Sequence, residues 1–290
     1  MNLIPAVKKD NALLEEMDAC LDEKASFNLW WLGQSGFLVQ WNGRRLLIDP
    51  YLSDSLTVKY AATSKPHIRL SERVIEPSLL TKITVVTSSH NHTDHLDAET
   101  LTPLFANNPA AAFLIPEANR DFVTERVKRA DDFPIGINDK KSVTIEGFTF
   151  HGIPAKHNEI DRDSKGNPIY MGYVIEFGNW TIYHSGDTLW YSDMADLLRP
   201  FKIDLALLPI NGDDPSRGVA GNLNFTEAAQ LAKAVKARCV IPCHYNMFSF
   251  NSANVDDFEK AAQSIDQPHC ILKHGEKWSS SFFEAVQSVS

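Results

Sequence analysis

Val85-Val86-Thr87-Ser88-Ser89-His90-Asn91-His92-Thr93-Asp94-His95-Leu96-Asp97 is the stretch on which the reading of this chain turns. Its β-branched start predicts a strand, and the strand runs into four metal-binding side chains, His90, His92, Asp94 and His95. No helix or strand points three imidazoles and a carboxylate at this spacing toward one place. The chain must turn here, and a tight loop at a strand end lets the four side chains converge on a first-row metal.

On either side the pattern is that of strands alternating with helices. The strand is Ile83 to Thr87; Asp97 then caps a helix running to about Asn107, and a strand (Ala111 to Ile115) and a helix (Glu117 to Ala130) follow. Upstream, Asp10 is positioned to cap a helix whose apolar face is Leu13, Leu14, Met17 and Leu21. A strand at Phe27 to Trp31 precedes a hairpin, Gly36 to Trp41 and Arg44 to Ile48, joined by the type I′ dipeptide Asn42-Gly43. Asp49 closes that strand and either caps the turn or orients a metal-bound imidazole. Tyr51 to Ser71 reads as a surface excursion with the reach to overhang the site, its Lys59, His67 and Arg69 solvated.

From Lys141 the period becomes two. Ser142 to Ile145, Phe148 to Ile153, Ile169 to Phe177 and Trp180 to Tyr183 form a second antiparallel run. A short helix (Tyr191 to Leu198), a strand (Ile203 to Leu208), a helix (Thr226 to Ala237, capped near Asn224) and a strand (Cys239 to Ile241) follow. This order fits an α/β, four-layer αββα sandwich formed as one domain over residues 1–290. His157, Asp187 and His244 each lie just past a predicted strand end, as His90 does. Five His and two Asp on loops from one edge of the two sheets would supply two adjacent nitrogen and oxygen sites. Such sites suit Zn, Mn or Fe rather than Cu(I) or Ca.

The composition narrows the partners. Of 290 residues, 43% are hydrophobic and 22% charged, an ordinary globular mix, and the net charge of −9 opposes nucleic-acid binding. Arg44-Arg45 and Lys140-Lys141 read as solvated turns or strand edges. Cys20, Cys239, Cys243 and Cys270 form no Cys-x-x-Cys pair, Met1 to Asp10 lacks signal-peptide order, and no apolar run reaches membrane-spanning length. The expectation is a cytoplasmic protein acting on a small molecule, with neither nucleic acid nor membrane as partner; assembly as a homo-oligomer stays open. His151 reads as a sheet residue, His184 as structural or as a support behind Asp187, and Cys243 as facing away from His244. The loops Lys156 to Pro168 and Asn211 to Asn224 are either solvated or in contact with substrate, and Arg217 in the second could pair with an anion.

The ordered set His90-x-His92-x-Asp94-His95, His157, Gly186-Asp187-Thr188 and His244 resembles the metallo-β-lactamase superfamily. More narrowly, Trp31-Leu32-Gly33-Gln34-Ser35-Gly36-Phe37, Ile48-Asp49-Pro50-Tyr51-Leu52-Ser53 and Asp94-His95-Leu96-Asp97 look like the L-ascorbate-6-phosphate lactonase-like branch. Ser89-His90-Asn91-His92 and Gly186-Asp187-Thr188 are also similar to the N-acylphosphatidylethanolamine phospholipase D group. The resemblance implies the metallo-β-lactamase fold and two divalent ions, Zn or Mn with Fe as an alternative. It places His90, His92 and His157 on one ion, Asp94, His95 and His244 on the second, and Asp187 between them. It makes Asp94 and Asp187 the catalytic carboxylates around a metal-bridging hydroxide, in a hydrolase opening a lactone of a small polar metabolite, phosphorylated or plain. The alternative it implies is a phosphodiesterase or phospholipase D-like hydrolase. Leu96-Asp97 departs from the pattern of the glyoxalase II and lactamase branches, and His92 from the flavodiiron proteins.

Overall fold

Asn42 and Gly43 take φ of +47° and +76°, the left-handed pair a type I′ turn requires, and they close the hairpin of β2 (Gly36–Trp41) and β3 (Arg44–Ile48). The structure, a computed structural model, describes residues 2–283. β1 (Asn28–Gly33) pairs with β2 antiparallel; β4 (Ile83–Thr87), β5 (Ala112–Pro116) and β6 (Pro134–Ile137) continue the sheet in parallel beyond β3. The late strand β13 (Lys277–Ser279) covers the other edge, giving the order β13-β1-β2-β3-β4-β5-β6.

The second sheet holds β7 (Ser142–Ile145), β8 (Phe148–Pro154), β9 (Met171–Phe177), β10 (Trp180–His184), β11 (Leu205–Pro209) and β12 (Cys239–Cys243), in the order β12-β11-β10-β9-β8-β7. Period-two alternation divides the first sheet's side chains between two cores. Leu29, Trp31, Phe37 and Ile48 join Phe150, Tyr173 and Ile175 of the second sheet. Trp30, Leu38, Leu47 and Phe113 instead meet Leu13 and Met17 of α1 (Asp10–Ala19), Leu101 and Phe105 of α3 (Ala98–Asn107) and Val123 of α4 (Arg120–Val127). On the far side, beyond the short α5 (Met194–Leu198), α6 (Phe225–Ala234) lies on β11 and β12, so the four αββα layers are present. Among the described residues no helix is long and apolar enough to cross a membrane.

Strand direction fixes where the loops go. β3 and β4 are parallel; β8 and β10 are each antiparallel to β9 and so run the same way, with β11 and β12 parallel to β10. The carboxyl ends of β8, β10 and β12 therefore share one edge, and those of β3 and β4 meet it. Met171 N donates to Ser89 O at 3.0 Å and Tyr173 Oη to Ser88 O at 2.9 Å, joining the sheets there.

Several expectations are corrected. Asp10 does not cap its helix; it sits at φ +49° and accepts from Glu76 N at 3.2 Å. Arg45 is fully buried rather than solvated: Nε donates to Gln40 Oε1 at 2.8 Å, Nη1 to Thr81 O at 2.9 Å and Nη2 to Asp18 Oδ1 at 2.5 Å. Arg69 pairs with Asp54 at 2.6 Å and lies near the Tyr51 and Phe248 rings. The predicted helix at Glu117 to Ala130 is a 3-10 turn followed by α4, ended by Lys128 in the left-handed region. Asp97 and Asn224 cap α3 and α6 as expected, Asn224 with a full capping box.

Arg45→Ala removes a buried guanidinium and strands the buried Gln40 Oε1. Urea denaturation is expected to show a loss of about 2–4 kcal/mol; a loss below about 0.5 kcal/mol would contradict the buried brace.

Candidate metal centre

The loop after β4 reverses through hydrogen bonds from His95 N and Leu96 N to His92 O, at 3.1 and 2.8 Å. That turn sends His90, His92, Asp94 and His95 toward a common space. His157 follows β8, Asp187 follows β10 and His244 follows β12, so the structure brings all seven expected residues together. Gly186 enables the approach: at φ +59°, a Cβ there would lie 2.7 Å from Met171 O and 2.8 Å from Ser89 Cβ.

Three overlapping groups could hold a metal: His90, His92 and His157; His90, His95 and Asp187; and Asp94, Asp187 and His244, with the ligand atoms of each group within 4.8 Å of one another. His157 Nε2 is 3.3 Å from His92 Nδ1, a distance at which two lone pairs need a proton or a cation between them. His95 Nε2 is 3.3 Å from Asp187 Oδ1 and 3.8 Å from Asp94 Oδ2; His244 Nε2 is 3.7 Å from both Asp94 Oδ2 and Asp187 Oδ2. His90 Nε2 is buried with no hydrogen-bond partner, and His95 Nε2 and Asp187 Oδ1, also buried, have only each other at 3.3 Å. Buried polar atoms are costly when unmatched. Three of them aimed at one point fit a metal ion.

Partners behind the ring nitrogens set the tautomers. His95 Nδ1 donates to Asp49 Oδ2 at 2.6 Å and His157 Nδ1 to Gly221 O at 2.9 Å, turning each Nε2 lone pair toward the cluster. Asp49 also accepts from Ser89 N at 2.9 Å and from Ser89 Oγ, so it braces the loop after β4 and the His95 ring rather than its own turn. His184 is structural: Nε2 donates to Ser35 O at 2.9 Å and Nδ1 accepts from Gly186 N at 3.3 Å, which secures the turn before Asp187. Cys243 faces Ser35 Oγ, away from His244.

Electrostatics point the same way. Burial, helped by His95 and His92, holds His90 well below its ordinary pKa. Burial and then His157 bring His92 down to about 4. Burial also lowers His244, against the pull of Asp187 and Asp94. At His95 burial is outweighed by Asp187 and Asp94, which hold a proton there well above the usual imidazole range. Asp187 is the converse case: burial would raise it, but His95 and His244 keep it well below the usual carboxylate range. The centre demands positive charge between these groups, as a proton or as a cation.

Gln34 was not expected at the site. Its Nε2 donates to Asp94 Oδ2 at 3.0 Å and lies 2.9 Å from His244 Nε2, while its carbonyl accepts from His244 N and Trp31 Nε1. Gln34, Asp49 and His244 take φ of +48°, +42° and +67°, unusual for buried non-glycine residues.

Five of the seven, His92, Asp94, His157, Asp187 and His244, line a cavity of about 490 Å³. The Tyr51 to Ser71 excursion overhangs it through α2 (Ser55–Tyr60), and Lys59, Lys65 and His67 line the wall; Lys59 is solvent-exposed as expected, whereas His67 packs on Tyr60 and Phe248 instead of being solvated. Tyr170 and Asn158 also face it. Arg217 does not line it: its guanidinium donates to Asn211 O, Gly212 O and Asn251 Oδ1 at 2.7–2.9 Å, bracing its own loop instead of meeting a ligand. His151 is a sheet residue bonded to Glu176 at 2.6 Å.

Fold and site together define an αββα protein with a buried His and Asp cluster able to hold metal at one edge of its sheets. Residues 28–244 match the model of the beta-lactamase superfamily domain, and the chain belongs to that family. It is 28% identical over 258 residues to a UPF0173 metal-dependent hydrolase of Methanosarcina mazei, spanning 87% of this chain and 98% of that protein. Against the UPF0173 metal-dependent hydrolase of Caldivirga maquilingensis the identity is 30% over 251 residues, 86% of this chain and 96% of that one. Its fold is similar to that of Igni18, a metallo hydrolase of Ignicoccus hospitalis, with a TM-score of 0.64, 22% identity and coverage of 88% and 98%.

Asp49→Asn keeps the shape but weakens the acceptor behind His95. Competition with a chromophoric chelator is expected to show divalent-metal affinity reduced about 10–100-fold; a change under about threefold would show that the Asp49 contact does not orient His95 for binding.

Proposed function

We propose that this chain is a binuclear metal-dependent hydrolase whose substrate is a lactone of a small polar metabolite carrying an anionic group. The observation that carries the reading is the set of under-matched buried atoms, His90 Nε2, His95 Nε2 and Asp187 Oδ1, within the cluster whose His92, Asp94, His157, Asp187 and His244 line an open cavity. The names of the Methanosarcina and Caldivirga relatives support the hydrolase class. His90, His92 and His157 would hold one ion, Asp94, His95 and His244 the other, with Asp187 between them. Divalent ions bound there, Zn or Mn with Fe as an alternative, supply Lewis-acid charge and a water acidic enough to attack near neutral pH.

The chain's own groups do the rest. Asp49 and Gly221 O fix the His95 and His157 rings, so no reorientation is needed when charge develops. Lys59, on the overhanging wall, has no carboxylate within 4.0 Å among the described residues and would bind an anion, a role Arg217 cannot fill; Lys65 beside it donates to Gly218 O and keeps further N–H donors for the same anion. The α2 wall and Tyr170 narrow access of water to the cluster. Four free thiols support a reducing, cytoplasmic setting.

The test is a hydrolysis panel of phosphorylated and plain lactones beside phosphodiesters, run with Zn-loaded and Mn-loaded protein and with His92→Ala as the blank. Lactone turnover is expected, falling about 10²–10³-fold in His92→Ala, the scale of losing a preorganised charge-stabilising group. Turnover of phosphodiesters alone would replace the lactonase reading with the phosphodiesterase one. Equal turnover by His92→Ala would sink both.

A further inference from the structure

The metal-binding loop is closed by a residue far from it in sequence. Arg126 Nη1, on α4, donates to Asn91 O and to Leu96 O, each at 3.0 Å. Those carbonyls stand at the two ends of the turn that carries His92, Asp94 and His95. The guanidinium is held in turn by Phe122, one helical turn earlier, whose ring centroid is 4.4 Å away. Arg126 has no carboxylate within 4.0 Å among the described residues, and burial pulls it below the ordinary guanidinium range. A half-buried cation beside a metal-binding cluster, spent on two loop carbonyls, requires a reason.

We propose that Arg126 is a positioning residue that clamps the His92-Asp94-His95 turn and so sets the geometry and affinity of the metal centre. The proposal rests on the metal-centre reading above but does not depend on which ester is hydrolysed. Its sign separates it from a field effect. Removing a positive charge near a dication should by Coulomb's law leave binding unchanged or tighten it, whereas removing a clamp frees the turn and weakens binding. Lys59, a second cation on the same cavity, contacts Thr93 Oγ1 at 3.4 Å but neither of the two carbonyls, and serves as the charge control.

The experiment uses the full chain loaded with Co²⁺, reading the visible d–d spectrum and the dissociation constant against a competing chelator, with far-UV circular dichroism to check folding. Arg126→Ala is expected to shift the d–d envelope and weaken Co²⁺ binding at least tenfold. Arg126→Lys should recover part of the loss, because an ammonium also donates to carbonyls but does not stack as a guanidinium does. Phe122→Leu, which leaves the hydrogen bonds and removes only the support, should shift affinity in the same direction by a smaller factor and keeps the test open if Arg126→Ala misfolds. Lys59→Ala should leave spectrum and affinity within twofold of the parent. An unchanged spectrum and affinity in Arg126→Ala and Phe122→Leu would overturn the clamp, as would equal effects from Lys59→Ala. A chain that binds Co²⁺ with these dependences yet hydrolyses nothing would sink the hydrolase reading and spare the clamp; a chain that takes up no Co²⁺ would sink both.

Discussion

A buried carboxylate, Asp187, and a partly buried one, Asp94, face a centre in which the buried His90 Nε2 has no partner and His95 Nε2 only Asp187, and the interior does not tolerate that arrangement uncompensated. His95 carries the strain most openly. Asp49 behind it and Asp187 before it both call for positive charge on the ring, against burial that resists it. A divalent cation satisfies the whole set at once, and the loops converging on the centre are legible as a means of holding one.

The fold supplies that convergence through strand direction. β8, β10 and β12 run the same way, so His157, Asp187 and His244 leave the second sheet at one edge, where the loop after β4 meets them. Contacts between the sheets, Tyr173 to Ser88 and His184 to Ser35, fix the spacing. The backbone bends into the left-handed region at Gln34, Asp49 and His244, the residues that seat and orient the cluster. Local strain at a site is sustained when the surrounding packing over-determines it, and here Trp31, packed at a 31° tilt with its ring centroid 4.4 Å from that of Tyr245, supplies part of that packing.

Much of this was legible in the chain. Asn42-Gly43, Asp97 and Asn224 carry local signals whose physics is complete within a few residues, and each does what its neighbourhood dictates. The seven metal-site candidates were legible because His and Asp are chemically distinctive and follow strand ends. What escaped depends on partners distant in sequence. β6 contains Pro134 and Gly136, poor strand formers on local grounds, and exists because β5 pairs with it. β13 is three residues long and is defined by β1. Arg45 looks like surface until Gln40, Thr81 and Asp18 surround it, and Arg217 looks available until Asn251 and two carbonyls claim it. Gln34 gave a motif but no chemical signal, since an amide acquires a role only when Asp94 and His244 arrive beside it.

Anomalous diffraction from crystals of the metal-loaded protein, recorded on both sides of the metal edge, tests the central claim most directly. Two anomalous peaks are expected at the sheet edge, one bounded by His90, His92 and His157, the other by Asp94, His95 and His244, with Asp187 between them. A peak elsewhere, or none while these seven side chains keep their places, would contradict it.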